Sequence, residues 1–177
     1  MLTKINPDNY NLILDLKYAT TENFVKQKLY NKASLMLHDD ASERLLIAAD
    51  IANNLDMQLK IFDAFRPLKI QEYMWNKFQN NDFISNPNSG SIPHCRGIAV
   101  DLTLVKNGNE LDMGTPFDHF SEKSFHGNNS ISITAQHNRL LLLGIMTQAG
   151  WDFYTNEWWH YQLFNPRSYE VIKDVEL

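Results

Sequence analysis

The chain has 177 residues, of which 44% are hydrophobic and 12% aromatic, and carries a net charge of −5. That length and apolar share predict one compact domain, 1–177, with a real core, and exclude a disordered chain. No basic cluster is present, which argues against nucleic acid as a partner, and a single cysteine excludes an internal disulfide framework and fits a reducing compartment.

The first ten residues carry Lys4, Asn6, Pro7 and Asp8 and do not read as the apolar region of a secretion signal. The longest apolar run, 140–146, is interrupted by Gly144 and falls well short of the roughly 20 residues of a membrane span. A cytoplasmic protein without a membrane partner is expected; a periplasmic or secreted one would require a leader that has been removed. Residues 12–16 alternate and predict a short strand. Asp40 with Glu43 has the form of a capping box that opens a helix with Leu45, Leu46, Ala49, Ala52 and Leu55 on its apolar face. Residues 59–65 alternate again, with Leu59, Ile61 and Asp63 on one face, and Pro67 suits the first turn of a second helix running to about Gln79. Residues 80–91, rich in Asn, Ser, Pro and Gly, predict a loop. Residues 98–105 predict a strand, which Asn107-Gly108 would reverse into a hairpin with 110–113. Thr134 is the candidate cap of a third helix ending before Gly150, and 158–163 predict the last strand. Helices alternating with short, hairpin-linked strands make an α+β fold, with a mainly antiparallel central sheet and flanking helices.

Two stretches carry residues with metal-binding chemistry. The first is His94-Cys95-Arg96-Gly97-Ile98-Ala99-Val100-Asp101, the second Glu157-Trp158-Trp159-His160. Two imidazoles and a carboxylate suit a catalytic zinc ion, one per chain, with an open fourth position and Glu157 as a base beside it. His94 lies on the loop entering a strand, Asp101 lies inside it, and Gly97 between them allows a bend or a close approach. If the strands holding Asp101 and His160 are neighbours, His94, Asp101 and His160 converge and Glu157 faces the water. Asp101, set among Val100, Leu102 and Leu104, is a buried carboxylate that needs a partner; an ion pair with Arg66 or Arg96 is the plainer alternative to a metal. Two His and one carboxylate also form the facial triad of non-haem iron oxygenases, but Glu157 favours hydrolysis, since an oxygenase has no need of that base. His38, His119, His126 and His137 read as ordinary surface or core residues, Cys95 as a small buried thiol, and Trp158 and Trp159 as core aromatics before substrate contacts.

The run from His94 through Asp101-Leu102-Thr103-Leu104 resembles the SxHSRGxAxDLTL signature of the D-alanyl-D-alanine dipeptidases. Asp15-Leu16-Lys17-Tyr18-Ala19-Thr20 with Asn23-Phe24 is similar to that family's KYATxxNF block. Asp63-Ala64-Phe65-Arg66-Pro67 is similar to its DxYRP block. Met113-Gly114-Thr115-Pro116-Phe117-Asp118 matches MGxxFD, and Glu157-Trp158-Trp159-His160-Tyr161 matches EWWHY. Five motifs in order are far more specific than one. The resemblance implies a single domain of the hedgehog/D,D-peptidase type and a zinc dipeptidase acting on small D,D-dipeptides. It further implies His94, Asp101 and His160 as zinc ligands, Glu157 as general base and Arg66 as oxyanion donor. Asp118 would pair with the substrate ammonium, Tyr18 and Asp63 would lie at the substrate pocket or behind it, and Trp158 would contact the substrate.

The departures bear on substrate rather than chemistry. Ile92 and Pro93 stand where the family has serines before the first ligand, Ser91 lies one step further off, and Cys95 replaces a serine. The segment between Arg66 and His94 is short, which would leave the cavity more open. A D,D- or L,D-carboxypeptidase acting on cell-wall peptides, or a non-catalytic domain binding zinc or peptidoglycan fragments, are the alternatives. Retention of both Glu157 and Arg66 favours an enzyme.

Overall fold

The computed structural model describes residues 1–173 and 175. Strand β1 (Leu2–Lys4) is followed by β2 (Ile13–Leu14) and β3 (Met36–His38), then helix α1 (Asp39–Asn53), β4 (Gln58–Asp63) and helix α2 (Leu68–Lys77). Strands β5 (Ala99–Lys106) and β6 (Asn109–Glu110), helix α3 (Ile133–Gln148), β7 (Asp152–Phe153) and β8 (His160–Gln162) complete the order. The main sheet runs β2-β4-β5-β8-β7 with β6 paired to β5. All its pairings are antiparallel except β2 with β4, and β1 and β3 form a separate antiparallel ribbon. The α+β expectation holds.

Most elements lie where the sequence pattern puts them, with shifts at their ends. The first helix is capped by His38, whose Nδ1 accepts from the Asp40 N–H at 3.3 Å, and not by Asp40. Leu45, Ala49 and Ala52 are buried on it, whereas Leu55 lies past its end and is exposed. The third helix starts earlier than Thr134 suggests: Ser132 is its cap, with Oγ accepting from the Ala135 N–H at 3.0 Å. The last strand begins at His160, because 157–159 form a turn. The ribbon strands β1 and β3 are three residues each, too short for alternation to mark them.

Strand β5 is buried along its length except at Lys106, Asp101 and Thr103 included, because both of its faces are covered. The main core joins β4, β5 and the inward sides of α1 and α3, with Trp151, Trp158 and Trp159. A second, smaller cluster of Tyr18, Tyr30, Phe65, Met74 and Ile84 gathers about α2.

The register between β4 and β5 changes in the middle. Ile61 opposes Leu102, but Asp63 opposes Asp101, so Phe62 is the extra residue of a bulge. In an unbroken antiparallel ladder Asp63 would have faced Val100. The bulge brings it level with Asp101 instead, and in doing so breaks the simple alternation of Leu59, Ile61 and Asp63. Among the described residues no helix is long and apolar enough to cross a membrane.

Leu45 is fully buried between α1 and the sheet, while Leu140 on α3 is 65% exposed. Leu45→Ala is therefore expected to lower unfolding stability by about 2–5 kcal/mol and Leu140→Ala by no more than about 0.5 kcal/mol, as read by urea denaturation.

Candidate active site

Strand β5 pairs with β8 so that Asp101 faces His160 directly. His94 reaches the same point from a single 3-10 turn, Pro93–Arg96, entered through Ile92 at φ 41° and left through Gly97 at φ 67°. Both flanking residues have left-handed backbone, which is costly for a β-branched residue such as Ile92. Gly97 is required here on two counts. Its φ suits glycine, and a Cβ would lie 3.0 Å from the His38 N, whose N–H donates to the Gly97 carbonyl at 2.7 Å. The turn is thereby clamped against the end of β3.

The result is a triangle of buried atoms. His160 Nδ1 lies 2.9 Å from Asp101 Oδ1, His94 Nε2 lies 3.2 Å from His160 Nδ1, and His94 Nε2 lies 3.3 Å from Asp101 Oδ1. The other nitrogen of each ring is already engaged. His94 Nδ1 is 2.6 Å from the Ala64 carbonyl, to which it must donate, and His160 Nε2 is 3.2 Å from Gln162 Oε1. With those nitrogens engaged, the second nitrogen of each ring, where it carries no proton, turns a lone pair toward the other ring and the carboxylate. Three acceptors at this spacing call for a cation. Bonds of about 2.0–2.1 Å to a tetrahedral ion set ligand atoms roughly 3.3 Å apart, which these side chains meet with little movement. His94, Asp101 and His160 are the residues that could hold a metal ion here. Burial opposes ionisation of Asp101, but His94 and His160, as donors or cations in the place of a metal, outweigh it and hold the carboxyl below the usual carboxylate range.

The triad opens onto a cavity of about 260 Å³. Glu157, on the turn before β8, lines it with Oε2 3.9 Å from His160 Nδ1. Burial, reinforced by Asp101 and Asp118 and opposed by Arg66, drives the Glu157 carboxyl well above its usual range. Arg66 also lines the cavity, just past β4, with NH2 3.7 Å from Asp101 Oδ2. The ion pair that sequence alone left as an alternative to a metal is thus a long contact added to the triad. Arg96 turns away, its Nε–H donating to the Ser91 carbonyl at 2.7 Å. Asp63 does not line the cavity. It lies behind Arg66, with Oδ2 accepting from Nε and NH2 at 2.9 and 2.7 Å and Oδ1 accepting from Tyr30 OH at 2.8 Å.

Asp118, at φ 58°, and Tyr18 form the opposite wall, the Tyr18 OH lying 3.0 and 3.2 Å from the two carboxylate oxygens. Burial, with Asp101, pushes the Asp118 carboxyl up to about 8, against the Tyr18 hydrogen bond. Trp158, expected to contact the substrate, does not line the cavity: its Nε1–H donates to Thr115 Oγ1 at 2.8 Å, and Trp159 lines the cavity instead. With 157–159 in a turn, strand alternation does not apply to the two tryptophans. The short 80–91 segment still walls the cavity, through Phe83, Ile84, Ser85 and Ser91 among others. Cys95 is fully buried and its thiol is pushed up to about 12 by burial, as expected of a packing residue.

Sequence reasoning missed Gln71, Tyr154 and Gln162, all of which line the cavity. Gln162 had a signal, since it stands two residues beyond His160 and therefore on the same strand face.

A family model described as D-ala-D-ala dipeptidase matches residues 2–175. The D-alanyl-D-alanine dipeptidase of Escherichia coli (strain K12) is 39% identical over 98% of this chain and 88% of its own length. Proteins of the same name from Enterococcus faecium and Streptomyces coelicolor are 31% and 29% identical over 88% and 84% of this chain, and over 89% and 84% of their own lengths. A match along nearly the whole sequence, together with a buried His-Asp-His triad opening on a small cavity, leads to one assignment: the chain belongs to the D-ala-D-ala dipeptidase family of peptide-bond hydrolases.

Proposed function

We propose that this protein is a zinc-dependent D,D-dipeptidase that hydrolyses D-alanyl-D-alanine to free D-alanine. The observation that carries the reading is the convergence on one small cavity of three metal-binding atoms, the Glu157 carboxyl, which has no hydrogen-bond partner among the described residues, and the Arg66 guanidinium. At about 260 Å³ the cavity lies just below the roughly 300 Å³ at which ordinary ligand sites begin, a size that suits a dipeptide better than a cell-wall stem peptide.

His94, Asp101 and His160 hold the ion in this reading, and Gln162 and the Ala64 carbonyl fix the tautomers that let them do so. When bound, zinc supplies Lewis-acid polarisation of the scissile carbonyl and makes the attacking water more acidic, with a pKa near 7. Glu157 takes a proton from that water as its oxygen adds to the carbonyl carbon. A carboxyl whose affinity for protons is raised by burial can accept a proton here and return it to the departing amine as the C–N bond breaks. Arg66 donates to the oxyanion that develops on the carbonyl, a role worth roughly 3–4 kcal/mol for one such donor. Asp118 receives the substrate ammonium at the far wall. Burial and Asp101 raise its affinity for protons, and a substrate ammonium beside it favours the ionised form, with any proton it carries passing to solvent.

Three expected outcomes test these assignments. Metal analysis of His160→Ala should find near-complete loss of zinc; a variant that retains a full equivalent has its ligands elsewhere. Glu157→Ala should keep zinc and the folded circular-dichroism spectrum but lose about 10²–10⁴-fold in kcat. If it loses metal while staying active, Glu157 is a ligand. Free D-Ala-D-Ala should be cleaved and its N-acetylated form should not, and Asp118→Asn should lower kcat/KM for the free dipeptide without removing zinc. A broken charge pair of about 2–5 kcal/mol corresponds to a loss of roughly 30-fold or more. Preference for acetylated or longer peptides would point to a carboxypeptidase instead.

A further inference from the structure

The Arg66 guanidinium has five N–H groups, and three of them are spent inside the protein. Nε–H and one NH2 hydrogen both converge on the single oxygen Oδ2 of Asp63, and one NH1 hydrogen goes to Gln71 Oε1 at 2.8 Å. Two bonds meeting at one atom make a pivot: Asp63 anchors the guanidinium at a single oxygen, while the Tyr18 ring lies 5.1 Å from its central carbon. Gln71 grips the opposite terminal nitrogen and supplies the third point that fixes the plane. The remaining N–H groups, one each on NH1 and NH2, are then aimed from a group that lines the cavity.

Gln71 is itself held firmly. It sits in the first turns of α2, is 1% exposed, and satisfies both ends of its amide, with Nε2–H donating to the Ser85 carbonyl at 2.7 Å. Ser85 Oγ in turn accepts from the Ile92 N–H at 3.1 Å, two residues before His94. One side chain therefore joins Arg66 to the 80–91 wall of the cavity and, through Ile92, to the turn that carries His94.

We infer that Gln71 is a positioning residue of the reaction: it fixes the plane of the Arg66 guanidinium for the oxyanion and ties the 80–91 wall to it. The inference rests on the dipeptidase reading above. The two hydrogen bonds can be separated. Gln71→Leu removes both. Gln71→Glu keeps, and charges, the acceptor that Arg66 uses, while setting a carboxylate oxygen against the Ser85 carbonyl.

The experiment is steady-state hydrolysis of D-Ala-D-Ala by the zinc-loaded wild type, Gln71→Leu, Gln71→Glu, Arg66→Ala and the Arg66→Ala/Gln71→Leu double variant, with zinc content and melting temperature measured for each. Gln71→Leu should keep zinc and lose about 10–100-fold in kcat, the scale of a misplaced catalytic group. Gln71→Glu should recover most of that kcat but show a raised KM. In the Arg66→Ala background, Gln71→Leu should change kcat less than twofold, because the group it positions is gone. Should Gln71→Leu melt early, Gln71→Met, close in volume to glutamine, takes its place. Undiminished kcat in the apolar variant, or an equal loss with and without Arg66, overturns the inference while leaving the dipeptidase reading intact. Absence of turnover by the wild type overturns that reading and the inference with it.

Discussion

A carboxylate taken out of water needs opposite charge close by, and here two are taken out side by side. Asp63 and Asp101 face each other across β4 and β5, and both are buried. His160 stands next in the row on β8. Leaving either carboxylate uncompensated would cost on the order of 3–5 kcal/mol. The surrounding structure is the answer to that cost. Asp63 is met by Arg66 and Tyr30, and Asp101 by His94, His160 and the nearer edge of Arg66. Even so, Asp63, Asp101, Asp118 and Glu157 set four carboxyl groups about one guanidinium. The imbalance is what a divalent ion and a substrate ammonium would relieve, so the chemistry needed for hydrolysis and the charge needed for folding are the same charges.

The row exists because of a single extra residue. The bulge at Phe62 moves Asp63 from opposite Val100 to opposite Asp101, and Arg66 then leaves the strand within reach of both carboxylates. The clamp at Gly97 does comparable work on the other side, holding the His94 turn against β3. Neither device belongs to the reacting groups, yet each sets where those groups point.

These two devices also mark where sequence reading ends. That His94, Asp101, His160, Glu157, Arg66 and Asp118 would meet around one cavity was legible because their spacing and neighbouring motifs are tied to chemistry. Strand β5 was legible because its apolar residues, broken only by Asp101 and Thr103, are followed by the Asn107-Gly108 turn that reverses it. The bulge was not, since nothing in Ile61-Phe62-Asp63 says that the middle residue will be skipped; the pairing with β5 decides it. Gln71 escaped notice for the same reason. Its partners, Arg66 and Ser85, come from segments that only the tertiary fold brings to α2. Trp158 and Trp159 exchanged roles because a turn replaced the expected start of a strand, and His38 and Ser132 displaced the nearer candidates as caps by a shift of two residues.

The site is also spread along the chain in a way that bears on when it comes into being. Asp101 and His160 are 59 residues apart in sequence, and His94 and His160 are 66 apart. Closing such loops is entropically expensive, and the contacts that reward it form late. In the dipeptidase reading, His160 and Glu157 come together on one short stretch, 157–160, placed after the third helix and far from His94 and Asp101 in sequence. Metal binding and hydrolysis would then both depend on the same long-range pairing of β5 with β8.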